Sequence, residues 1–378
     1  MTPSLTAQRA DALIAAATDE IRAASLCEAP VVSVGLVTYN QASFIAKAVD
    51  SVLAQRTSFA VEILIADDHS TDGTTEIVLD YQRRFPERVR VLLARENLGR
   101  HTGNGRLNFV RALRSCRGEY TALLEGDDFW VGEDKLERQV GFLARHPDFV
   151  LCGHAVTIVP DDPETPIGRF PRAAKAESTI DDLLAGNFIH TASALFRTAA
   201  VPELPDWFYG LPMGDWPLWC LLARSGKVGF LDEAMGAYRL HSGGVWSSRT
   251  EAARLEAMIQ TYESLALSWG QRDAERLTVA QAVAHARLAT ARRLEGDRAG
   301  AASSLQTALG LLMRAKDPDP SLVKPVLDAI ASAFNLSVAW SERRQPGSPP
   351  RSPIRRLRQA ARRLRSRFAR SALLGRSG

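Results

Sequence analysis

The sequence predicts an α/β fold for its N-terminal half, built on a mostly parallel, Rossmann-like sheet with flanking helices. Between residues 31 and 128, apolar runs of strand length alternate with stretches whose apolar residues recur at helical spacing. Polar residues also gather directly after several of these apolar runs. Such alternation is typical of parallel sheets with right-handed crossovers, and ligands bind beyond the carboxyl ends of their strands. The pattern therefore predicts both the sheet and the edge at which a site lies.

Each element of the sheet is predicted from its own periodicity. Strands are predicted at residues 31–37, 61–66, 89–93 and 120–124. Helices are predicted through residues 44–53, after Gly73 as far as Tyr81, and through residues 107–113. Beyond residue 128 we expect fewer regular strands and more loops.

The loops after the first two strands are polar. Thr38-Tyr39-Asn40 follows the first strand, and Asp67-Asp68-His69-Ser70 follows the second. Because parallel strands end at the same edge of a sheet, we expect both loops to lie near the residues that follow the fourth strand.

The stretch Leu124-Glu125-Gly126-Asp127-Asp128-Phe129-Trp130 places three carboxylates within four residues after the fourth strand. Crowded carboxylates repel one another unless a cation joins them, and hard divalent cations prefer oxygen ligands. The stretch therefore predicts a site where a metal neutralises a phosphate-bearing substrate. An acidic turn without a ligand is the alternative.

Taken together, the motifs resemble those of family 2 glycosyltransferases with the GT-A fold. The resemblance covers about residues 30–250. The motifs that carry it are residues 31–40, Asp67-Asp68-His69-Ser70-Thr71-Asp72-Gly73-Thr74, Asn97-Leu98-Gly99 and Glu125-Gly126-Asp127-Asp128. It implies an inverting hexosyl-type transferase that uses a nucleotide-sugar donor.

The resemblance assigns a nucleoside site to the first two loops. Thr38 and Asn40 would line it, Tyr39 would stack on the base, and Asp68 would accept a hydrogen bond from a pyrimidine N3–H. This implies a UDP-sugar, although dTDP and GDP donors stay open. Alternatively, Asp68 is a turn residue that bonds its own backbone.

The same resemblance places Arg106 near the donor diphosphate. Arg106 follows Gly103-Asn104-Gly105 at the start of a helix, where backbone can approach a phosphate closely. The alternative is an arginine on a solvated helix face.

The acidic motif departs from the usual Asp-x-Asp of the family, because Glu125 takes the first position. By resemblance, Asp127 is the direct ligand of Mg²⁺ or Mn²⁺, with Glu125 and Asp128 beside it in the donor site. His241 matches a further metal or diphosphate ligand. A histidine without a metal is the alternative.

The acceptor side is expected in the second half of the domain. His190, Thr191 and Trp216 are candidate acceptor contacts, and satisfied core residues are the alternative for the first two. Asp215 matches the general base of inverting members, although an Asp before a helix containing Pro217 also fits an N-cap.

Outside the catalytic region we expect three further segments. Residues 1–29 hold a helix: 12–24 is apolar but interrupted by Asp19, Glu20 and Arg22, which argues against a signal peptide. Residues 30–250 form the GT-A domain. Residues 251–340 are helical, with a tetratricopeptide-like pair at 282–312. Residues 341–378 form a tail rich in Pro and Arg.

The basic character of the chain resides in this tail. Residues 343–378 contain 12 Arg and no Lys, Asp or Glu, so the formal net charge of +4 divides into +12 for the tail and −8 for residues 1–342. The body is therefore not expected to bind nucleic acid. Within 354–374, apolar residues recur at helical spacing among arginines, which predicts an amphipathic helix on an anionic membrane surface. A disordered tail, or one that binds RNA or a protein, is the alternative.

Four widely separated cysteines argue against a zinc site or a disulfide scaffold and fit a reducing cytoplasm. No apolar stretch approaches the roughly 20 residues of a membrane span. We therefore expect a cytoplasmic enzyme, peripheral to the inner membrane face, whose acceptor is a glycan or lipid-linked glycan of the cell envelope. The rival hypothesis is a catalytically silent scaffold that binds glycan or protein partners. The sequence does not predict the oligomeric state.

Overall fold

The computed structural model describes residues 5–161 and 165–315. The chain divides into two compact units, residues 1–248 and residues 249–378, of which the second is described as far as residue 315. The predicted basic tail with its helix at 354–374 lies outside the described residues, as do residues 316–340 of the helical extension.

The strands of the first unit differ widely in length. They are β1 Thr18–Ile21, β2 Val32–Thr38, β3 Val61–Asp67, β4 Val89–Ala94, β5 Tyr120–Glu125, β6 Phe129–Trp130, β7 Phe149–Pro160, β8 Gly168–Phe170, β9 Glu177–Ser178, β10 Leu195–Arg197 and β11 Lys227–Leu240.

The helices occur in both units. They are α1 Ala7–Ala17, α2 Ile45–Leu53, α3 Thr74–Arg84, α4 Arg106–Ser115, α5 Lys135–Arg145, α6 Ile180–Ala185, α7 Asp215–Leu222, α8 Glu251–Ser268, α9 Gln271–Leu294 and α10 Arg298–Arg314. Short 3₁₀ turns occupy Leu98–His101, Thr191–Ser193, Thr198–Ala200 and Asp206–Gly210.

Within the described residues, the eleven strands form one sheet in the order β1-β4-β3-β2-β5-β10-β7-β11-β6, with β8 on β7 and β9 on β11. The neighbours β4, β3, β2 and β5 pair in parallel, and β7 pairs in parallel with β11. The short strand β10 joins these two groups because it pairs antiparallel with both β5 and β7. The α/β fold with a large, mostly parallel sheet is confirmed.

The register of the central strands brings the polar loops together. Thr38 lies opposite Asp67 at the ends of β2 and β3, and Val37 lies opposite Glu125 at the ends of β2 and β5. Every residue of β3 is buried, as are six of the seven residues of β2. Fully buried parallel strands are packed on both faces, which explains their continuous apolar runs.

The N-terminal prediction is wrong in part. Helix α1 ends at Ala17, where a helix over 12–24 was predicted, and residues 18–21 form β1, which pairs antiparallel with the edge strand β4. The acidic residues that interrupt the apolar run fall on this strand. Asp19 forms an ion pair with Arg95 and Glu20 with Arg90. The charged residues therefore lie beyond the end of the helix, on the strand that forms the edge of the sheet.

The expectation of fewer regular strands and more loops beyond residue 128 is also wrong in part. The two longest strands of the sheet, β7 with 12 residues and β11 with 14, lie there. Their pairing contains register shifts near Leu231–Gly236, where acidic residues interrupt the apolar pattern of β11. Because of this irregularity, β11 has neither a continuous nor an alternating apolar pattern, and the sequence does not predict it as a strand.

The second unit is helical as far as it is described. Helices α9 and α10 are joined by the turn Glu295-Gly296-Asp297, in which Gly296 has φ +88° and Asp297 caps α10 through the N–H of Gly300. This is the helix–turn–helix that the sequence predicts. Among residues 5–161 and 165–315, none of the helices combines the length and the apolar composition that a bilayer span requires.

Candidate active site

The acidic loop is held tightly against the end of β2. The N–H of Gly126 donates to the carbonyl of Val37 over 2.9 Å. A Cβ at Gly126 would lie 2.4 Å from Gln41 Oε1 and 2.9 Å from Thr38 Oγ1, so a side chain there would clash. The Thr38 hydroxyl donates to Gln41 Oε1 over 2.8 Å. Thr38 and Gln41 therefore pack against the acidic loop at Gly126.

Asp127 and His241, the two predicted metal ligands, lie next to each other. His241 Nε2 lies 3.0 Å from Asp127 Oδ2, and the imidazole packs beside the Phe44 ring at a centroid distance of 4.8 Å. The hydrogen bond to Asp127 raises the pKa of His241. A nitrogen and a carboxylate oxygen at this spacing are suitable ligands for a transition-metal ion such as Mn²⁺.

Asp128 is buried behind Asp127 and has one free carboxylate oxygen. Oδ1 accepts the backbone N–H of Arg239 over 2.9 Å. Oδ2 lies 3.8 Å from His190 Nδ1 and makes no hydrogen bond within the described residues. Glu125, Asp128 and His190 form a group whose possible ligand atoms all lie within 4.8 Å of one another.

The electrostatics of this cluster favour a cation. Burial, and then the charges of Asp127 and Asp215, raise the pKa of Glu125 to about 8. Burial also raises the pKa of Asp128 and lowers that of His190 to about 4. His190 is therefore neutral near pH 7, and the charge of Arg239 offsets only part of the rise in the pKa of Asp128. An unpartnered buried carboxylate oxygen beside other acids fits a divalent metal ion.

The turn that carries His190 is fixed by buried donors. Trp130 Nε1 donates to the carbonyl of Ala192 over 2.8 Å, and Trp219 Nε1 donates to that of Ile189 over 3.2 Å. His190 Nδ1 accepts the N–H of Ala192 over 3.2 Å. The predicted acceptor contact His190 therefore faces the acidic cluster. Thr191 is buried within the same turn.

Asp215 begins α7 close enough to Glu125 for their charges to interact. Its Oδ2 accepts a hydrogen bond from Asn187 Nδ2 over 3.2 Å. Gly214 occupies the N-cap position, so Asp215 is the first helical residue and not the cap. Burial raises the pKa of Asp215, while the Trp216 N–H, Arg106 and Asn187 oppose that shift. The carboxylate is thus oriented by a neutral amide and placed near the acidic loop.

Trp216 does not offer an acceptor surface. Its side chain is fully buried, and Nε1 donates to the carbonyl of Leu183 over 2.9 Å. The residue packs in the core and joins α7 to α6, which corrects its prediction as an acceptor contact.

The loops after β2 and β3 are joined by direct hydrogen bonds. Asn40, in the left-handed region at φ +51°, receives the N–H of Thr71 on its Oδ1 over 2.8 Å and donates its own N–H to Ser70 Oγ over 2.8 Å. The Gln41 N–H donates to Thr74 Oγ1 over 2.8 Å. The Asn40 side chain therefore shapes the loops. Tyr39 remains 48% exposed, available for stacking.

Asp67 and Asp68 have separate roles. Asp67 accepts the hydroxyls of Ser70 and Thr75, both over 2.5 Å, and so closes its own turn. Asp68 is 2% exposed, and its two oxygens accept the N–H groups of Leu98 and Gly99 over 2.7 and 3.1 Å. Asp68 thus fixes the Asn97-Leu98-Gly99 loop, a contact that the sequence analysis did not anticipate.

Arg106 is buried, not solvated. Its Nη2 donates to the carbonyl of Leu211 over 3.0 Å, and the guanidinium lies 5.1 Å from the Phe208 ring centroid. It therefore points toward the segment that precedes Asp215, and its role beside a donor diphosphate stays a prediction.

Comparisons with known proteins agree with this geometry. Residues 33–203 match the family model described as glycosyl transferase family 2. An uncharacterized protein of Mycobacterium tuberculosis is 39% identical over 216 residues, covering 57% of this chain and 60% of that protein. TuaG of Bacillus subtilis, whose name proposes a glycosyltransferase of teichuronic acid biosynthesis, is 29% identical over 231 residues, covering 60% of this chain and 85% of TuaG. The match thus spans less than two thirds of the mycobacterial relative.

Solved structures share the fold. Residues 1–349 of TarS from S. aureus superpose with a TM-score of 0.54 at 15% identity, covering 81% of this chain and 88% of that one. The mannosyltransferase PcManGT from Pyrobaculum calidifontis, solved with GDP-mannose and Mn²⁺, gives a TM-score of 0.51 at 20% identity and covers 86% of each chain. The first unit therefore has the GT-A fold of glycosyltransferases. The match to the model of glycosyl transferase family 2 lies within this unit, at residues 33–203.

Sequence reasoning missed Asn187 as a functional residue and did not place His190 in the acidic cluster. Asn187, the partner of Asp215, precedes His190 by three residues in a segment that is otherwise mostly apolar. The place of His190 in the acidic cluster depends on Trp130 and Trp219, which lie far from it in the sequence. No local pattern signals such contacts.

Proposed function

We propose that this protein is a metal-assisted, inverting family 2 glycosyltransferase that moves a sugar from a nucleotide-diphosphate donor to a hydroxyl group of a glycan or lipid-linked glycan. The observation that carries the proposal is the convergence of Asp127, His241, Glu125 and Asp128 at the end of β5, with Asp215 electrostatically coupled to Glu125. One group of side chains suits a cation, and a separate carboxylate is available as a base.

Asp127 and His241 would hold a divalent cation, Mg²⁺ or Mn²⁺, that neutralises the donor diphosphate when bound. Glu125 and Asp128, with the neutral His190 beside them, supply further oxygens. PcManGT, which shares the fold, is solved with Mn²⁺. The acidic cluster of this chain is the stronger support, because it has a buried carboxylate oxygen without a partner among the described residues.

The base proposal follows from how Asp215 is held. Asn187 donates to Oδ2 and the Trp216 N–H also bonds the carboxylate, which together orient it. A remaining lone pair of this carboxylate would accept the proton of an acceptor hydroxyl. As that proton transfers, the acceptor oxygen forms its bond to the anomeric carbon, and the bond from that carbon to the diphosphate oxygen breaks. The diphosphate leaves with the electron pair, so no covalent intermediate with the enzyme is required.

A UDP-sugar remains the proposed donor. Tyr39 is exposed for stacking. Asp68 has an acceptor position beyond the three that bond the N–H groups of Leu98 and Gly99 and the side chain of Asn97, since a carboxylate has about four. The relation to TuaG supports an acceptor among surface polysaccharides. Cytoplasmic localisation and attachment of residues 354–374 to an anionic membrane belong to the same proposal.

Release of nucleoside diphosphate from UDP-, dTDP- and GDP-sugars, with and without Mn²⁺, tests the function. Asp215→Asn is expected to lower kcat by roughly 10²–10⁴ while the donor Kd stays near that of the parent protein. Asp127→Asn is expected to abolish the effect of Mn²⁺ on donor binding. Glu28→Gln, at an exposed position, serves as the control. Asp215→Asn with parental kcat would refute the base, and donor turnover independent of both metal and Asp127 would refute metal assistance.

A further inference from the structure

Arg106 makes contacts that its predicted role beside a diphosphate does not explain. The side chain is 4% exposed, and Nη2 donates to the carbonyl of Leu211. The neighbouring Asn104 donates to the same carbonyl over 3.2 Å, and Asn104 Oδ1 accepts the N–H of Arg106 over 3.0 Å. The start of α4 therefore grips the segment that leads into α7.

The guanidinium also lies directly against Gly214. A Cβ at this position would be 1.6 Å from Arg106 Nη1 and 2.8 Å from Cζ. No residue with a side chain fits there unless Arg106 moves. Because Gly214 immediately precedes Asp215, the contact places a buried positive charge beside the residue proposed as the base.

The apolar surroundings of Arg106 strengthen the electrostatic interactions of its charge. Arg106 Nε is buried and makes no hydrogen bond within the described residues. The rings of Phe208 and Phe109 lie 5.1 and 5.8 Å from the guanidinium carbon. Charges interact more strongly in such an apolar setting than they do in water.

The groups that face Asp215 come from several elements. Glu125 approaches from β5, Arg106 from α4, the Cys220 thiol from α7, and Asn187 from the loop after α6. Glu125 carries a negative charge when ionised, whereas Asn187 is neutral. Arg106 is thus the cation among these four.

We propose that Arg106 is a positioning residue for the base: it fixes the turn 211–214 and holds its positive charge next to Asp215. This inference rests on the proposed function, because it takes Asp215 as the general base. The reciprocal shifts agree with it. Arg106 opposes the rise that burial causes in the pKa of Asp215, and Asp215 opposes the fall that burial causes in the pKa of Arg106, to about 10.

The test is the dependence of kcat on pH with saturating donor and Mn²⁺. An opposite charge within about 4–6 Å lowers a carboxyl pKa by about 1–3 units. Arg106→Met removes the charge and keeps much of the length, so the acidic limb of the profile should move up by about one pH unit or more. The KM for the donor should change less than twofold. Arg106→Lys, which keeps a charge, should give a smaller shift.

Gly214→Ala provides an independent variant that leaves Arg106 in the chain. Its methyl group would displace the guanidinium, so the acidic limb should again move up. This variant also covers the case in which Arg106→Met fails to fold. Arg100→Met is the matched control, because Arg100 is exposed and paired with Glu96. It should leave the limb unchanged.

An unchanged acidic limb in both Arg106→Met and Gly214→Ala would overturn the inference. A donor KM raised tenfold or more in Arg106→Met, with the limb in place, would instead assign Arg106 to the donor diphosphate. Asp215→Asn separates this result from failure of the proposed function. If Asp215→Asn is inactive while the acidic limbs of Arg106→Met and Gly214→Ala are unchanged, the role of Asp215 as the base is retained and only the role of Arg106 is refuted. If Asp215→Asn is fully active, both roles are refuted.

Discussion

Replacing Glu125 by Gln should stabilise the metal-free protein in alkaline solution. The pKa of Glu125 rises from its ordinary value near 4.5 to about 8, because the side chain is poorly solvated and faces the charges of Asp127 and Asp215. A carboxyl whose pKa is raised by folding favours the folded state below its unfolded pKa. That contribution is lost as the pH rises through 8. The ionised carboxylate therefore destabilises the folded state, and replacement by glutamine removes this destabilisation.

The size of the effect follows from the shift. A difference of about 3.5 pKa units corresponds to roughly 4–5 kcal/mol in the free energy of unfolding. Glu125 is the last residue of β5 and is partly exposed, so we discount this by about half for solvent screening, which leaves about 2 kcal/mol at pH 8.5. For a unit of about this size, 2 kcal/mol raises Tm by roughly 4–8 °C.

The assay is thermal unfolding in EDTA at pH 5.5 and pH 8.5. Glu125→Gln is expected to raise Tm by several degrees at pH 8.5 and by far less at pH 5.5, where the native carboxyl is protonated. Glu28→Gln, at an exposed position, controls for the loss of one negative charge. A gain that is the same at both pH values, or a lower Tm at pH 8.5, would refute the reasoning.

Further substitutions test the support of the site. Gly126→Ala should lower the free energy of unfolding by about 1–3 kcal/mol and weaken metal-dependent donor binding, because its Cβ would lie 2.4 Å from Gln41 Oε1. Chemical denaturation measures the stability and donor titration the affinity, and parental values for both would contradict this prediction. Asn40→Ala should lose about 1 kcal/mol and raise the donor KM, because its Oδ1 holds the N–H of Thr71; an unchanged KM would show that this bond does not shape the donor site. Burial lowers the pKa of Lys135 to about 7, so Lys135→Met should raise Tm, and by more at pH 6 than at pH 8.5; a lower Tm at pH 6 would contradict this.

The central sheet was predictable because its strands are buried on both faces. β2, β3, β4 and β5 appear in the sequence as continuous apolar runs, and polar residues follow where strands end. The acidic edge could therefore be located from the sequence. In contrast, β1 is a short strand with acidic residues at the sheet edge, and β11 is interrupted by register shifts. Neither has the apolar continuity that a sequence pattern can detect.

The candidate site was predictable as a set of residues but not as a set of contacts. Asp127 and His241 lie within hydrogen-bond distance of each other, while their role as metal ligands stays a prediction. The direction of Arg106 depends on the absence of a side chain at Gly214, more than 100 residues later in the chain. Likewise, Asp68 bonds the loop after β4 through backbone N–H groups, which no residue type encodes. Such contacts are properties of the folded chain.

The most direct test of a metal-dependent donor site is thermal unfolding of the full chain with UDP, dTDP, GDP, CDP and ADP, each with and without Mn²⁺. A ligand at 100 times its Kd adds about 2.7 kcal/mol to the free energy of unfolding, which is enough to raise Tm by several degrees. We predict stabilisation by UDP that requires Mn²⁺ and disappears in Asp127→Asn. No stabilisation by any diphosphate in the presence of Mn²⁺ would contradict the account and favour a catalytically silent scaffold.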